Sequence, residues 1–315
     1  MPLNIGILGT ADIAYRRFLP ALKKSNKIQY YGIASRTIEK TKKFQGAFGG
    51  YCYDNYEKLL NDSNIQAVYI PLPPALHYEW GKKALEAGKH VFMEKPFCTE
   101  YWQTVELCKI ANNKNLCLHE NYMFVYHKQL DFIKKIMDKK ILGNIRLIRI
   151  AFGFPRREGN DFRYNKELGG GALLDCGGYT LKLSDILFDD CKIVYKKLSN
   201  ENEKIDLYGN AVIESGDGNI AMVSFGMDNS YKCELEIWGS NAVLKADRIF
   251  TAPPDFNVNI RILFNDRVET VPIGCDNQFL NSINYFENCI FDNGMRKSNY
   301  KNILRQAELL ERMRS

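Results

Sequence analysis

The stretch Gly6-Ile7-Leu8-Gly9-Thr10-Ala11-Asp12-Ile13-Ala14 carries an apolar run into a turn of small residues, and a helix-like segment follows it. In a dinucleotide-binding turn the chain bends tightly, and a small second residue lets the backbone approach a pyrophosphate at the helix N-terminus. Gly9, Ala11 and Ala14 take the three small-residue positions of that pattern. Such turns also occur without a nucleotide, but this one opens a run of alternating strands and helices, as the pattern requires. The residues predicted to contact a dinucleotide here are Gly9, Thr10, Ala11, Asp12 and Ile13.

Residues 3 to 120 alternate short β-like runs with segments of helical spacing, which is typical of a parallel sheet with crossover helices. The predicted strands are residues 4–8, 28–34, 67–71, 90–93 and 116–119. The predicted helices are residues 13–24, 37–48, 56–61, 77–87 and 101–112. We therefore predict an α/β fold class for this part, a doubly wound Rossmann sheet that forms an NAD(P)-binding domain over residues 1–122.

After a predicted helix at residues 126–140, the pattern changes to strands separated by turn residues such as Gly216-Asp217-Gly218. The predicted strands are residues 145–154, 192–198, 205–215, 219–227, 231–238 and 257–263, and the predicted closing helices are residues 277–291 and 298–313. We predict an α+β domain over residues 123–315 that binds substrate and carries a mostly antiparallel open sheet. Its last helices are candidates to pack back on the first domain.

The composition is that of a globular protein with room for two domains. The chain has 315 residues, of which 45% are hydrophobic and 25% charged. The formal net charge of +6 is spread along the chain, which disfavours nucleic-acid binding. A mild positive charge suits a phosphate-bearing small molecule, and a solvated surface explains it equally well.

The cysteines and the apolar runs indicate a cytoplasmic protein. The nine cysteines lie at positions 52, 98, 108, 117, 176, 191, 233, 275 and 289 and include no Cys-x-x-Cys pair, which favours reduced core thiols. No apolar stretch approaches the roughly 20 residues of a membrane span. No cluster of histidine, cysteine and carboxylate side chains has metal-ligand spacing, so we predict no metal.

The end of the second predicted strand bears on which dinucleotide is bound. It reads Ala34-Ser35-Arg36, where an NAD-binding fold would place a carboxylate for the ribose 2′-hydroxyl. Ser35 can hydrogen-bond a 2′-phosphate, and Arg36 can pair with that phosphate while stacking on adenine. NADP(H) is therefore favoured, with NAD(H) as the alternative. A surface arginine that opens a helix is the competing explanation.

The stretch Gly88-Lys89-His90-Val91-Phe92-Met93-Glu94-Lys95-Pro96 is an apolar run that ends in an acid, a base and a proline. The carboxyl ends of parallel strands are where ligands bind, so Lys95 is a site candidate. Pro96 fixes the turn that presents the lysine. A lysine before proline also occurs in solvated loops.

Several motifs resemble those of the glucose-fructose oxidoreductase and inositol dehydrogenase (Gfo/Idh/MocA) family. In the first half they are Pro71-Leu72-Pro73-Pro74-x-x-His77, Ala87-Gly88-Lys89-His90-Val91 and Glu94-Lys95-Pro96. The resemblance continues through Glu120-Asn121-Tyr122-Met123-Phe124, His127 and Arg163 to Leu168-Gly169-Gly170-Gly171-Ala172-Leu173-Leu174-Asp175-Cys176-Gly177-Gly178-Tyr179. It covers nearly the whole chain.

The resemblance implies a nicotinamide dinucleotide in the first domain and a lysine that contacts the reacting oxygen. The further cofactor-binding residues it implies are Leu72, Pro73, His77, Glu94, Lys95 and Arg163. His77 could instead have a structural role at the start of its helix. The substrate-side residues it implies are Asn121, Tyr122, His127, Asp175 and Tyr179.

The resemblance also implies a catalytic group of Lys95, Tyr179 and Asp175. Tyr179 stands where many members, inositol dehydrogenases among them, have histidine, and its hydroxyl is a proton donor at neutral pH. We predict that Tyr179 is the general acid in reduction, Lys95 stabilises negative charge on the same oxygen, and Asp175 orients the lysine or a substrate hydroxyl. Alternatively, Tyr179 is a packing aromatic, Asp175 is a helix cap and residues 169–171 form a flexible loop.

These observations favour an NADP(H)-dependent oxidoreductase that transfers a hydride between nicotinamide and a sugar ketone or secondary alcohol. The run Asn160-Asp161-Phe162-Arg163-Tyr164 most resembles reductases of nucleotide-linked keto sugars, such as 3-ketoreductases. The alternatives are a free aldose or trans-dihydrodiol dehydrogenase and, in another class, a non-catalytic dinucleotide-binding sensor. The resemblance further implies a homodimer or homotetramer that forms through the C-terminal sheet.

Overall fold

A computed structural model describes residues 2–157, 161–199 and 204–315, and these residues form two compact units. The first unit combines the residues up to Tyr122 with Phe279–Glu308, and the second combines the described residues of Met123–Gln278 with Leu309–Ser315. Asn160, which belongs to one of the motifs above, lies outside the described residues.

The first unit is built on a parallel sheet, which confirms the predicted doubly wound fold. In the described part of the chain its strands are β1 (Leu3–Leu8), β2 (Ile28–Ala34), β3 (Tyr51–Tyr53), β4 (Ala67–Ile70), β5 (His90–Met93) and β6 (Leu118–Glu120). Its helices in this stretch are α1 (Leu19–Leu22), α2 (Glu39–Phe48), α3 (Tyr56–Leu60), α4 (His77–Glu86) and α5 (Tyr101–Lys114). All four residues of β4 are buried, as expected for a central strand covered by helices on both faces.

The order of these strands locates the candidate site. Across the sheet the order is β3-β2-β1-β4-β5-β6, so the direction of chain progression reverses between β1 and β4. In open α/β sheets, ligands bind outside the carboxyl ends of the strands at such a switch point. The turns that follow β1, β4 and β5 lie at this edge of the sheet.

The second unit contains the mostly antiparallel sheet that the sequence predicts. Among the described residues its strands are β7 (Ile145–Gly153), β8 (Cys191–Ser199), β9 (Tyr208–Ser215), β10 (Ile220–Gly226), β11 (Lys232–Gly239), β12 (Ala242–Asp247), β13 (Val258–Phe264) and β14 (Val268–Gly274). The order is β14-β13-β12-β11-β7-β10-β9-β8, in which β7 and β10 run parallel. Helices α6 (Lys128–Asp138) and α7 (Gly178–Phe188) belong to the same unit, and α7 packs on β7 and β10.

Side chains alternate between the two faces of this second sheet. On β11, Cys233, Leu235 and Ile237 are buried, whereas Trp238 at the end of the strand is 49% exposed. This period of two is the pattern of a strand with one face on the core and one face outward. The core of the second unit therefore lies on the α7 side of the sheet.

Two helices close the chain, α8 (Gln278–Phe291) and α9 (Asn293–Arg314), and residues 279–308 of this segment group with the first unit. Asn299 Nδ2 donates to the carbonyl oxygen of Leu118 at 2.6 Å, and the Tyr300 hydroxyl donates to that of Leu116. These side chains satisfy carbonyl groups at and beside β6, which is an edge strand of the first sheet. Covering an edge in this way prevents unwanted strand pairing.

Three strands are absent from the sequence prediction: β3, β12 and β14. Two of them, β3 and β14, are the edges of their sheets, where a strand is buried less and its apolar pattern is weak. The last helix also begins at Asn293 rather than near residue 298. Within the described ranges, no helix is both long and apolar enough to cross a membrane.

Candidate functional site

The turn after β1 has the backbone geometry that a dinucleotide requires. Gly9 has φ +100°, and a Cβ atom at this position would lie 2.7 Å from Leu72 Cδ2. Its N–H donates to the carbonyl oxygen of Ala34 at 2.9 Å, which closes the turn against β2. A π-helical turn, Ala14–Phe18, then leads into α1. Glycine suits this position because it adopts a positive φ without strain and has no Cβ atom that would collide with Leu72.

The end of β2 places a cation beside the same turn. The Ser35 side chain is buried, and its Oγ accepts a hydrogen bond from the Thr37 N–H at 3.2 Å. Burial raises the pKa of Tyr56, and the exposed Arg36 guanidinium beside its hydroxyl opposes that rise. A Cβ on Gly9 would lie 3.7 Å from this Tyr56 hydroxyl, so Arg36, Tyr56 and the glycine turn are neighbours. The arrangement fits a 2′-phosphate, although contact with the cofactor stays a prediction.

The turn after β5 holds Glu94 inside the first unit. Glu94 Oε1 accepts hydrogen bonds from the Tyr69 hydroxyl at 2.6 Å and from Asn121 Nδ2 at 2.7 Å. Burial raises the pKa of Glu94, and these two hydrogen bonds oppose the rise. Asn121 Oδ1 in turn accepts from the Ser282 hydroxyl at 2.9 Å. The residue immediately before Lys95 is therefore fixed by a buried network.

The segment after Lys95 is also held by buried side chains. Glu120 Oε1, at the end of β6, accepts from the Phe97 N–H at 2.8 Å. The His77 ring, at the start of α4, lies 2.8 Å from the carbonyl oxygen of Pro96 and 2.7 Å from that of Leu72. Lys95 is thus presented by a main chain whose neighbours on both sides are fixed.

The predicted substrate-side residues near residue 120 are all buried. Asn121 Nδ2 donates a hydrogen bond to Glu94 Oε1, and the Tyr122 hydroxyl accepts one from Gln306 Nε2 at 3.2 Å. His127 caps α6, because its Nδ1 accepts from the Gln129 N–H at 3.1 Å. The sequence did not predict these structural partners. Contact of Asn121, Tyr122 or His127 with a substrate stays a prediction.

In the second unit, a distinctive turn begins the helix that carries Tyr179. Gly171 has φ +120°, its N–H donates to the Arg163 carbonyl oxygen at 2.9 Å, and a Cβ there would collide with Asp206 Oδ1. Asp206 then satisfies the first helical donors: its Oδ2 accepts from the Leu173 N–H at 2.5 Å and its carbonyl accepts from the Ala172 N–H at 2.8 Å. Capping of this kind anchors the helix start.

The helix itself is not uniform. Leu173–Gly177 forms a π-helical turn, and the α-helix α7 starts at Gly178. The i, i+4 spacing of Asp175 and Tyr179 therefore spans a junction between two helix types rather than one regular turn. Single π-helical turns inside helices occur frequently at functional sites, where the extra residue redirects a side chain.

Asp175 is paired with Arg163 in this unit. Arg163 Nε lies 2.9 Å from Asp175 Oδ2, and Arg163 Nη1 lies 3.0 Å from Asp161 Oδ1. The three side chains are only 11–21% exposed, so solvent screens these ion pairs weakly. Because the guanidinium is rigid and planar, it fixes the direction of the Asp175 carboxylate. Contact of Arg163 with the cofactor stays a prediction.

Tyr179 lies in an aromatic cluster of the second unit. Its ring centroid is 5.1 Å from that of Phe152, 5.6 Å from that of Phe250 and 5.7 Å from that of Phe124. Its hydroxyl lies 3.6 Å from the Met123 sulfur, which is a weak acceptor. The ring is therefore held in place by packing among aromatic side chains of the second unit.

We expect Gly171→Ala to destabilise the second unit. The new methyl group collides with Asp206, and a non-glycine residue at this φ is strained by about 1–3 kcal/mol. Denaturant unfolding measures the loss. The control is Gly46→Ala in α2, where a Cβ meets nothing within 4 Å and alanine favours the helix. Equal effects of the two substitutions would contradict this account of the turn.

Sequence reasoning missed the side chains that support the site. Glu120, Tyr69 and Asp206 hold the lysine turn and the start of the tyrosine helix through long-range hydrogen bonds. Glu120 begins the motif Glu120-Asn121-Tyr122-Met123-Phe124, but nothing local in the sequence shows which backbone N–H it accepts from. Among the described residues, no group of three or more His, Cys, Asp or Glu side chains is arranged to hold a metal ion.

Comparison with known proteins shows matches along the chain. The family model described as "Oxidoreductase family, NAD-binding Rossmann fold" matches residues 3–122, and the Gfo/Idh/MocA C-terminal domain model matches residues 131–245. A dTDP-3,4-didehydro-2,6-dideoxy-alpha-D-glucose 3-reductase of Actinomadura kijaniata is 35% identical, over 100% of this chain and 95% of the relative. The enzyme of the same name from Saccharopolyspora spinosa is 36% identical, over 90% of this chain and 86% of that relative.

Solved structures agree with the sequence relatives. The crystal structure of KijD10, a 3-ketoreductase from Actinomadura kijaniata in complex with NADP and TDP-benzene, has a TM-score of 0.96 and 34% identity and covers 100% of this chain and 97% of that one. An aldose-aldose oxidoreductase from Caulobacter crescentus shares the fold at 20% identity, with a TM-score of 0.87 over 99% of this chain and 97% of that one. The motifs, the two units and these matches together show that the chain belongs to the Gfo/Idh/MocA family of oxidoreductases.

Proposed function

We propose that the protein is an NADPH-dependent reductase of a keto group on a nucleotide-linked sugar, with a dTDP-linked 3-keto sugar as the preferred substrate class. The observation that carries the proposal is likeness over the full chain to a 3-ketoreductase whose structure holds NADP and TDP-benzene. The Ser35 and Arg36 environment supports the choice of NADP(H), since an exposed cation lies beside the glycine turn.

The residues of the first unit fit a nicotinamide dinucleotide. The glycine turn, with Gly9 at a positive φ, leaves room for a pyrophosphate at the helix N-terminus, and Arg36 suits a 2′-phosphate. When bound, the reduced nicotinamide supplies the hydride. The Lys95 ammonium donates a hydrogen bond to the carbonyl oxygen of the sugar and stabilises the negative charge that develops there. Glu94 and Glu120 hold the turn that presents this lysine.

The residues of the second unit supply the proton. The Tyr179 hydroxyl donates its proton to the oxygen that becomes the product hydroxyl, and the phenolate regains a proton from solvent. Phe152 and Phe250 hold the ring in place for this transfer. Asp175, whose carboxylate direction is fixed by Arg163, orients a substrate hydroxyl.

Turnover on a substrate panel tests the proposed function. The panel contains a dTDP-linked 3-keto sugar, free aldoses and a trans-dihydrodiol, each with both nicotinamide cofactors. We expect reduction of the sugar nucleotide with oxidation of NADPH. Oxidation of an aldose or of the diol without any turnover of the sugar nucleotide would replace the proposal by the dehydrogenase alternative.

Arg36→Ala is expected to weaken NADPH binding by about 10- to 100-fold and to leave NADH binding nearly unchanged. A hydrogen bond between charged groups contributes about 1.5–3 kcal/mol, and NADH lacks the phosphate that Arg36 would bind. Fluorescence titration with both cofactors measures the difference. Lys40→Ala, which removes an exposed cation from α2, is the control. Equal losses for both cofactors would remove the phosphate role from Arg36.

Self-association through the outward face of the second sheet is part of the proposal. An apolar row crosses strands β11 to β14, because Trp238 pairs with Val243, Val243 with Leu263 and Leu263 with Val268. Trp238 is 49% and Val268 61% exposed in the single chain. The neighbouring row is an ion-pair ladder in which Glu236 contacts both Arg149 and Lys245. Two copies of such a face can cover the apolar row and leave the charges at its border.

Trp238→Glu is expected to convert a dimer or tetramer into monomers, since it places a carboxylate at the β11 end of the apolar row. Analytical ultracentrifugation measures the state. Trp102→Glu is the matched control, because Trp102 is 56% exposed on α5 in the other unit. A wild-type monomer at working concentrations would contradict the proposed assembly.

A cytoplasmic location also belongs to the proposal. All nine cysteines are free thiols, and seven of them are buried. Reduced thiols of this kind are typical of a reducing compartment.

A further inference from the structure

One buried histidine connects the carboxyl ends of two neighbouring strands in the first unit. His77 is 0% exposed at the start of α4. Its Nδ1 lies 2.8 Å from the carbonyl oxygen of Pro96, and its Nε2 lies 2.7 Å from that of Leu72. Leu72 follows β4 and Pro96 follows β5, and these strands are adjacent in the sheet. Both nitrogens of a single ring are therefore engaged by two different turns.

The two partners of the ring are both acceptors. A carbonyl oxygen only accepts, and a neutral imidazole carries a hydrogen on one nitrogen alone. The imidazolium form donates to both carbonyls, whereas a neutral ring directs a lone pair at one of them. Burial lowers the pKa of His77, and the hydrogen bonds to Pro96 and Leu72 oppose this effect. A single buried histidine ring therefore lies within hydrogen-bond distance of two main-chain carbonyl oxygens.

Each of these two turns has a role in the proposed function. Leu72 packs against the cofactor turn, because its Cδ2 lies 2.7 Å from where a Cβ of Gly9 would be. Pro96 directly follows Lys95, the residue proposed to contact the reacting oxygen. His77 thus joins the segment that closes on the glycine turn to the segment that presents the lysine.

Other hydrogen bonds of the lysine turn lead to different parts of the sheet. Glu94 is fixed by Tyr69 and Asn121, and the Phe97 N–H is fixed by Glu120. These bonds tie the lysine turn to β4 and β6. The His77 ring contacts the carbonyl oxygen of Pro96 with one nitrogen and that of Leu72 with the other. It therefore connects the lysine turn to the segment that packs on the cofactor turn.

We propose that His77 is a positioning residue for Lys95. Its ring joins the turn that presents the lysine to the turn that packs on Gly9. The inference rests on the proposed role of Lys95. A misplacement of about 1 Å of a reacting group lowers the rate by about 100-fold, so loss of the tie lowers kcat. In this proposal His77 affects the rate by positioning Lys95, and His77 itself does not contact the substrate.

A double-mutant cycle between His77 and Lys95 tests this inference. The proteins are wild type, His77→Gln, Lys95→Ala and the double variant, assayed with NADPH and the keto-sugar nucleotide. We expect His77→Gln to lower kcat by about 10- to 100-fold with a much smaller change in KM. In the Lys95→Ala background we expect the same substitution to cost no further kcat, because the group it positions is gone. Equal losses in both backgrounds would overturn the inference and leave a general structural role.

A second measurement keeps the test independent of turnover. Amide hydrogen exchange at Phe97 reports whether the lysine turn has loosened, and we expect faster exchange in His77→Gln than in wild type. His90→Gln is the matched control, because His90 lies on β5 and its Nδ1 accepts from Cys117 N–H rather than from the turn. We expect it to lower stability without changing kcat or exchange at Phe97. An unchanged rate of amide exchange at Phe97 in His77→Gln would overturn the inference that His77 holds the lysine turn.

The outcomes also separate this inference from the proposed function. A wild-type protein that turns over none of the sugar nucleotides contradicts the proposed function, while the exchange of Phe97 still decides the tie. If His77→Gln does not fold, His77→Asn replaces it in both measurements. Its side chain is too short to join the two carbonyl oxygens that the histidine ring spans, so the same results are expected of it.

Discussion

Lys95→Ala is expected to lower kcat for sugar-ketone reduction by about 100- to 1,000-fold, the usual effect of removing one donor to a developing oxyanion. NADPH affinity is expected to change far less, because the glycine turn and Arg36 are untouched. The turn itself should persist, since Glu94 Oε1 accepts a hydrogen bond from Asn121 Nδ2 and Glu120 Oε1 accepts one from the Phe97 N–H. Steady-state kinetics and cofactor titration measure the two quantities.

Two further variants define what Lys95 contributes. Lys95→Met keeps the length of the side chain and removes its charge, so we expect a loss similar to that of alanine. Lys114→Ala is the control, because Lys114 lies at the end of α5 and donates to the Glu86 carbonyl oxygen. Full activity in Lys95→Ala would contradict the mechanism even if the protein proved to be an enzyme.

Tyr179→Phe is expected to lower kcat by about 100- to 10,000-fold, the range for loss of a general acid. The substitution removes one hydroxyl and preserves the ring contacts with Phe152 and Phe250. Stability should therefore change less than kcat, because the ring stays packed in its aromatic cluster. Thermal unfolding alongside kinetics separates the loss of a proton donor from a packing defect.

The control for this substitution is Tyr195→Phe on β8, where the ring is 56% exposed. We expect wild-type kinetics from it. If Tyr179→Phe retained wild-type kcat, the tyrosine would be a packing aromatic and another group would donate the proton.

The sequence predicted the architecture well where local patterns carry the information. The strands β2 and β5 have the predicted ends, and β5 is an apolar run whose last three residues are buried, as expected for a strand covered on both faces. The glycine turn at Gly9 and the change to a mostly antiparallel sheet are confirmed in the same way. The edge strands β3 and β14 were missed, because at an edge the pairing partner rather than the apolar pattern determines the strand.

The family and the chemical class also followed from the sequence. The motifs around Lys95 and Tyr179 predicted the Gfo/Idh/MocA family, which the domain matches confirm. The prediction of a nucleotide-sugar 3-ketoreductase agrees with the names of the similar proteins. The role of each site residue stays a prediction, since a motif places residue types along the chain and does not show what each side chain contacts.

The sequence alone determined that a glycine turn, a lysine after a buried strand and a tyrosine after a glycine-rich run are present. Only the tertiary structure decided what holds them: His77 on two carbonyls, Glu120 on the Phe97 N–H and Arg163 on Asp175. The physical reason is that these bonds join residues 5 to 23 positions apart, and their partners are main-chain or polar groups with no periodic signature. Local pattern specifies the strands and turns, whereas the support of a functional side chain is specified by which strands become neighbours.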